Sequence, residues 1–205
     1  MNTRKYKQIK QFSAAVILGL VSATVLMAQQ GDQPQGKETK TTMLIDFANK
    51  DENHSVSVVN DGVMGGLSQG NIKLTQDNTL LFKGLLSLRN NGGFSSFRIS
   101  GQRWDLRDWK GIEIHVRGDG RVYGLRATTD EKFLRSSVSF TADFETTKDK
   151  WVKLQIPFSS MKASWRGRKL NRNFNPAEIK GLGIILADKK AGEFALEIKS
   201  ISAWK

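Results

Sequence analysis

Two glycine-rich segments, about twenty residues apart, constrain the fold of this chain more than any other feature. They read NDGVMGGLSQG from Asn60 to Gly70 and NNGGFSSFR from Asn90 to Arg98. Glycine tolerates the positive φ that a Cβ penalises, so this density marks tight loops whose shape is set by the backbone. Asn60, Asp61, Gly62, Gly65, Gly66, Asn91, Gly92 and Gly93 are accordingly expected to be architectural. Each loop flanks short stretches in which apolar and polar residues alternate, the pattern of half-buried strands.

The same alternation continues along the chain. Leu44 to Phe47 opens the domain as a strand, and Ile72–Leu74 with Leu80–Phe82 predicts a hairpin around Gln76-Asp77-Asn78. Leu85 to Arg89 and Phe94 to Ile99 follow. Gly111 to Arg117 places Ile112, Ile114 and Val116 on one face and Glu113, His115 and Arg117 on the other. Gly118-Asp119-Gly120 carries a hairpin signal and predicts a return strand at Val122 to Thr128, beside the first. Further strands are expected at 136–141, 151–157, 182–187 and 194–203, with one short turn of helix at Pro176 to Lys180. About ten short strands with turn signals between them predict an all-β sandwich or jelly roll.

The N-terminus reads differently. Arg4, Lys5, Lys7 and Lys10 precede an apolar run of fourteen residues, Ala14 to Met27, with small residues at Ala23 and Ala28. A membrane span needs roughly 20 apolar residues, so residues 1–28 are expected to be a signal peptide cleaved near Ala28, with an uncleaved membrane anchor as the alternative. Residues 29–42 read as a polar, flexible linker and residues 43–205 as one domain long enough to bury a core. The expected location is the periplasm of a bacterium or the exterior.

With no cysteine, the chain has no disulfide, thiolate metal site or thiol nucleophile. Of its formal net charge of +12, four units lie in the leader, so the remainder carries +8. A basic exported domain favours anionic partners, including acidic glycans, acidic protein faces and the membrane surface. Nucleic acid is not an expected partner of an exported protein.

Catalytic signals are thin. Gly66-Leu67-Ser68-Gln69-Gly70 spells the Gly-x-Ser-x-Gly of a nucleophile elbow, but that motif needs a helix behind the serine, and Asn71 to Leu74 reads as strand. The two histidines, His54 and His115, are too few for the usual zinc sites, and no spacing announces calcium ligands. No enzyme activity, metal or cofactor is therefore expected. The candidate ligand-binding residues are Glu113, His115 and Arg117, with Arg126 on the strand predicted beside them, and the basic aromatic loop Trp165, Arg166 and Arg168. The polar strand faces could hydrogen-bond a ligand or be ordinary solvated surface. Arg117-Gly118-Asp119 spells an adhesion tripeptide, but Gly118, Asp119 and Gly120 are read as a structural turn.

Taken together, Asp46-Phe47, NDGVMGGLS at 60–68, GLLSLRNNGGFSSFR at 84–98, DLRDWKGIEIHVRGDGRVYGLR at 105–126, WVKLQIPF at 151–158, WRGR at 165–168 and GLGIILADKKAGEFALEIKSI at 181–201 resemble the complex I intermediate-associated protein 30 family. The likeness spans about 44–205. It implies a galactose-binding-like jelly roll and a non-catalytic, chaperone-like factor in assembly or stabilisation of a protein complex. The fold's kinship with carbohydrate-binding modules implies, as the alternative, a glycan gripped on a concave sheet face.

Overall fold

The computed structural model describes residues 39–49 and 55–205; the expected signal peptide, most of the linker and His54 lie outside the described residues. Thirteen strands are present among the described residues: β1 Thr41–Asp46, β2 Ser55–Asn60, β3 Gln69–Leu74, β4 Leu80–Leu86, β5 Ser95–Trp104, β6 Gly111–Arg117, β7 Val122–Phe133, β8 Ser136–Glu145, β9 Trp151–Pro157, β10 Lys162–Trp165, β11 Arg168–Lys169, β12 Ile179–Leu186 and β13 Gly192–Trp204. They form two antiparallel sheets, one of six strands ordered β3-β4-β13-β6-β9 with β1 also on β13, the other of seven ordered β11-β10-β8-β7-β12-β5-β2. The expected β-sandwich is present.

The sandwich follows from alternation. Ile112, Ile114 and Val116 of β6 and Phe194, Leu196 and Ile198 of β13 turn inward from one sheet. Leu125 and Ala127 of β7, Phe140 and Ala142 of β8, and Leu182 and Ile184 of β12 meet them from the other. Phe82 joins the two layers, with Phe97 edge-on at 5.2 Å and Phe194 at 4.9 Å. Fully burying a side chain of this size contributes about 1.5–3 kcal/mol, so the apolar layer between the sheets is the main source of stability.

Several sequence expectations need correction. Gly118-Asp119-Gly120 does not close a hairpin: β6 pairs with β9 and β13, whereas β7 pairs with β8 and β12 in the other sheet. The turn is instead a crossing between layers, held because Asp119 accepts hydrogen bonds from the Tyr123 hydroxyl at 3.0 Å, the Ala195 amide at 2.9 Å and the Arg121 amide at 3.0 Å. The Ala195 amide comes from β13, 76 residues away, and cannot be read from a local Asp-Gly signal. Strand β2 was not anticipated, and the strand expected over Leu85 to Arg89 ends at Leu86, giving way to a 3₁₀ turn at Arg89–Asn91.

Candidate functional site

The two glycine segments meet around one buried carboxylate. Asp61, 1% exposed, begins a 3₁₀ turn at Asp61–Met64. It accepts hydrogen bonds from the Ser68 amide at 2.8 Å, the Ser68 hydroxyl at 2.6 Å, the Gly93 amide at 2.7 Å and the Phe94 amide at 3.3 Å. Burial pushes the Asp61 carboxyl up, but these donors outweigh it and hold the group below its ordinary value. Gly66 and Gly92 let the backbone close on it: a Cβ would sit 2.3 Å from Asp61 Cγ at the first and 2.5 Å from Oδ2 at the second. Next door, Asn60 Oδ1 accepts from the Gly70 amide at 3.1 Å and the Ser95 hydroxyl at 2.6 Å.

This arrangement disposes of the nucleophile elbow. Ser68 is buried, its hydroxyl donates to Asp61 and accepts from the Ser87 amide at 3.0 Å, and strand β3 rather than a helix follows it. Among the described residues no histidine is its partner, and the serine acts as a fastener between loops.

The fastened loops carry apolar residues outward. Val63 is 74% exposed and Met64 66%, with Leu67 and Leu88 also exposed nearby in the chain. Asn90 Nδ2 reaches across to the Gly65 carbonyl at 3.2 Å, tying the second loop to the turn that bears them. Two large apolar side chains thus stand in water on a turn that Asp61 ties to the second loop. Sequence reading treated these loops as architecture alone; the signal was the Val-Met pair inside an otherwise small and polar loop.

The polar strand residues divide between the two sheets. Glu113, His115 and Arg117 do lie on one outer face, where β9 brings Gln155, Lys153 and Trp151 opposite them in that order. There His115 and Arg117, but not Glu113, border a shallow cleft of about 380 Å³ lined also by Asp77, Thr79, Trp151, Glu197 and Lys199. Arg117 is largely engaged: its Nη2 meets Glu197 Oε2 at 2.5 Å, and its guanidinium lies 5.2 Å from the Trp151 ring. Burial opposes ionisation of Glu197, but hydrogen bonds from Thr79 and Arg117 hold its carboxyl below the ordinary value. Partial burial, then the charges of Lys199 and Lys153, lower the His115 pKa, against the opposing pull of Glu113. The His115 ring packs edge-on to Trp151 at 5.1 Å. Trp151, Glu197 and Thr79 were not anticipated here, because pairing across distant segments delivers them.

Arg126 is not beside Arg117. It belongs to β7, on the outer face of the seven-stranded sheet. Trp165, Arg166 and Arg168 form the tight β10–β11 connection at the edge of that same sheet, with Arg166 5.1 Å from the Trp165 ring and Trp165 edge-on to Phe133. The structure thus puts Arg126 on a different sheet from Glu113, His115 and Arg117, beside which it is expected from the sequence.

Residues 45–198 match the family described as complex I intermediate-associated protein 30. An uncharacterised protein of Schizosaccharomyces pombe is 27% identical over 186 residues, covering 78% of this chain and 84% of that protein. The mitochondrial complex I intermediate-associated protein 30 of Mus musculus is 27% identical over 180 residues, 77% of this chain. The chain spans 54% of that mouse protein's length. Among solved structures, a family 11 carbohydrate-binding module of a Clostridium thermocellum cellulosomal cellulase superposes with a TM-score of 0.59 at 15% identity, covering 80% of this chain and 94% of the module. The same kind of module in complex with a mixed-linked tetrasaccharide gives 0.57, also at 15% identity, with the same coverage of both chains. These structural likenesses establish the galactose-binding-like fold, and both curated relatives are eukaryotic proteins.

Proposed function

We propose, for a chain that belongs to the complex I intermediate-associated protein 30 family, a non-catalytic role as a chaperone-like factor that holds a protein partner during assembly or stabilisation of a complex. The observation that carries this reading is the family match over 45–198, which takes in the whole of β2 to β12. An exposed apolar pair supports it: Val63 and Met64 stand out from a turn that Asp61 ties to the second glycine loop. Affinity capture with cross-linking from the native membrane fraction tests it. The expected result is saturable recovery of subunits of one membrane-bound complex, displaced by untagged protein; recovery of nothing above background contradicts the role.

A second reading is glycan binding, supported by the fold shared with carbohydrate-binding modules and by the polar outer faces of both sheets. A glycan array with and without calcium tests this reading, and an empty array would overturn it.

Export through a cleaved leader belongs to the same proposal, and it rests on the basic and apolar segments of residues 1–28. N-terminal sequencing of the protein from the envelope should find a first residue near Gln29. Recovery of a chain beginning at Met1 from the cytoplasm would contradict it.

A further inference from the structure

The outer face of the seven-stranded sheet carries an organised row of polar and charged residues. Arg98 of β5 and Arg126 of β7 are both directly opposite Gly183 of β12, so they stand on one face with a residue lacking a side chain between them. The row continues from Arg98 to Ser57 on β2, and from Arg126 through Thr141 on β8 to Lys162 on β10. A parallel row holds Ser100, Gly181, Thr128, Ser139, Ser164 and Lys169. One row is cationic and the other is mostly hydroxyl, with glycines forming part of the floor of each.

Among the described residues no salt bridge involves Arg98, Arg126 or Lys162; the acidic Asp143 lies one row over, opposite Gly124. Arg126 donates through Nη2 to Ser139 Oγ, while its Nε is buried without a partner. Burial first, and then the charge of Arg98, pulls the Arg126 pKa down to about 10. A guanidinium disfavoured by burial and by the charge of Arg98, on a face where both arginines flank Gly183, forms a site that gains from an added anion.

Spacing selects the kind of anion. Adjacent strands lie about 4.8 Å apart, so Arg98, Arg126 and Lys162, each two strands from the next, recur at about 9–10 Å across the sheet. That interval is close to one disaccharide of an extended polysaccharide. Neither row contains an aromatic side chain on which a neutral sugar ring could stack, whereas the hydroxyl row matches the many donors and acceptors of a sugar chain. We propose that this face binds an acidic polysaccharide laid across the strands, its carboxylates or sulfates taken in turn by Arg98, Arg126 and Lys162. This deepens the glycan reading given above and rests on it.

Isothermal titration of the full chain with polygalacturonate, chondroitin sulfate, neutral mixed-linked β-glucan and poly-L-glutamate tests the proposal. The two acidic polysaccharides should bind, and Arg98→Gln/Arg126→Gln should weaken them by about tenfold or more while the variant still unfolds in one cooperative transition. Lys73→Gln/Lys83→Gln, an equal loss of charge on the other sheet, should leave the affinity intact. Equal weakening by both pairs, or polyglutamate binding as tightly as the polysaccharides, would show mere attraction to negative charge and overturn the assignment. Binding of the neutral glucan, unaffected by the arginine substitutions, would overturn this site while sparing the glycan reading. Binding of none of the four would remove both.

Discussion

Asp61 Oδ2 accepts a hydrogen bond from the Gly93 amide at 2.7 Å, joining the two glycine segments across 32 residues of chain. The glycine signature is therefore a mould for a buried carboxylate. Gly66 and Gly92 give it room, and Ser68 supplies two of its donors. Asp61→Asn leaves donors facing an amide that cannot accept from all of them and should cost about 2–4 kcal/mol of stability. Urea denaturation reads this directly, and a midpoint matching the wild type would contradict the role given to Asp61.

Gly65 and Gly93 hold φ of +87° and +123°, so Gly65→Val and Gly93→Val should each cost about 1–3 kcal/mol. Gly92, expected to share that geometry, has φ −70° and fails instead by collision with Asp61. Gly62→Ala meets nothing within 4 Å and serves as the neutral control. Equal melting temperatures for Gly62→Ala and Gly93→Val would contradict this distinction.

Arg121 grips Asp188 through two hydrogen bonds, Nε to Oδ2 at 2.9 Å and Nη2 to Oδ1 at 2.7 Å, and both side chains are largely buried. Nη1 also donates to the carbonyls of Gly192 and Glu193, so the pair closes the β12–β13 connection over the start of β7. Asp188→Asn strands a buried cation and should cost about 3–5 kcal/mol. The double substitution Arg121→Met/Asp188→Leu should cost less than Asp188→Asn alone. A double variant less stable than the single one would mean that the pair supplies net stability of its own.

Asp61, Asp188 and Glu197 all hold their protons more weakly when folded than their ordinary carboxylate values, because hydrogen bonds and arginine charges outweigh burial. Their stabilisation is complete above the unfolded carboxylate range and is lost as pH falls through the depressed folded values. His115 is a base with a lowered pKa, so the unfolded chain takes up its proton first and stability declines gently as pH drops below about 6.5. Melting temperature should be level from pH 7 to 8, decline slightly towards pH 5 and fall steeply below about pH 4. His115→Gln should remove the slight decline and keep the steep one; persistence of both would contradict the assignment to His115.

Much of the sandwich was legible because alternation fixes which side chains enter the core: β6 and β9 span the predicted residues, and the Ile72–Leu74 and Leu80–Phe82 hairpin is present. The partnership of strands was not legible. The Asp119 turn carries the local chemistry of a hairpin, yet the chain passes there from β6 of one sheet to β7 of the other, with Asp119 bonded to Ala195 on the sheet it leaves and to Tyr123 on the sheet it enters. That one crossing separates Arg126 from Arg117 and places it beside Arg98 instead. Glu113, His115 and Arg117 share a face because period-two geometry demands it. Their neighbours Trp151 and Glu197 arrive from 34 and 80 residues beyond Arg117, a distance at which local patterns carry no information.

Val63 and Met64 stand exposed on a turn that Asp61 ties to the second glycine loop, and the proposed role predicts that this pair engages a protein partner. The most direct test compares capture of partner by the wild type and by Val63→Ser/Met64→Ser, with melting temperatures measured alongside. Because both side chains are exposed, the variant should melt within a few degrees of the wild type. Capture should fall by about tenfold or more if the pair anchors the contact. Undiminished capture by a fully folded variant would contradict the account.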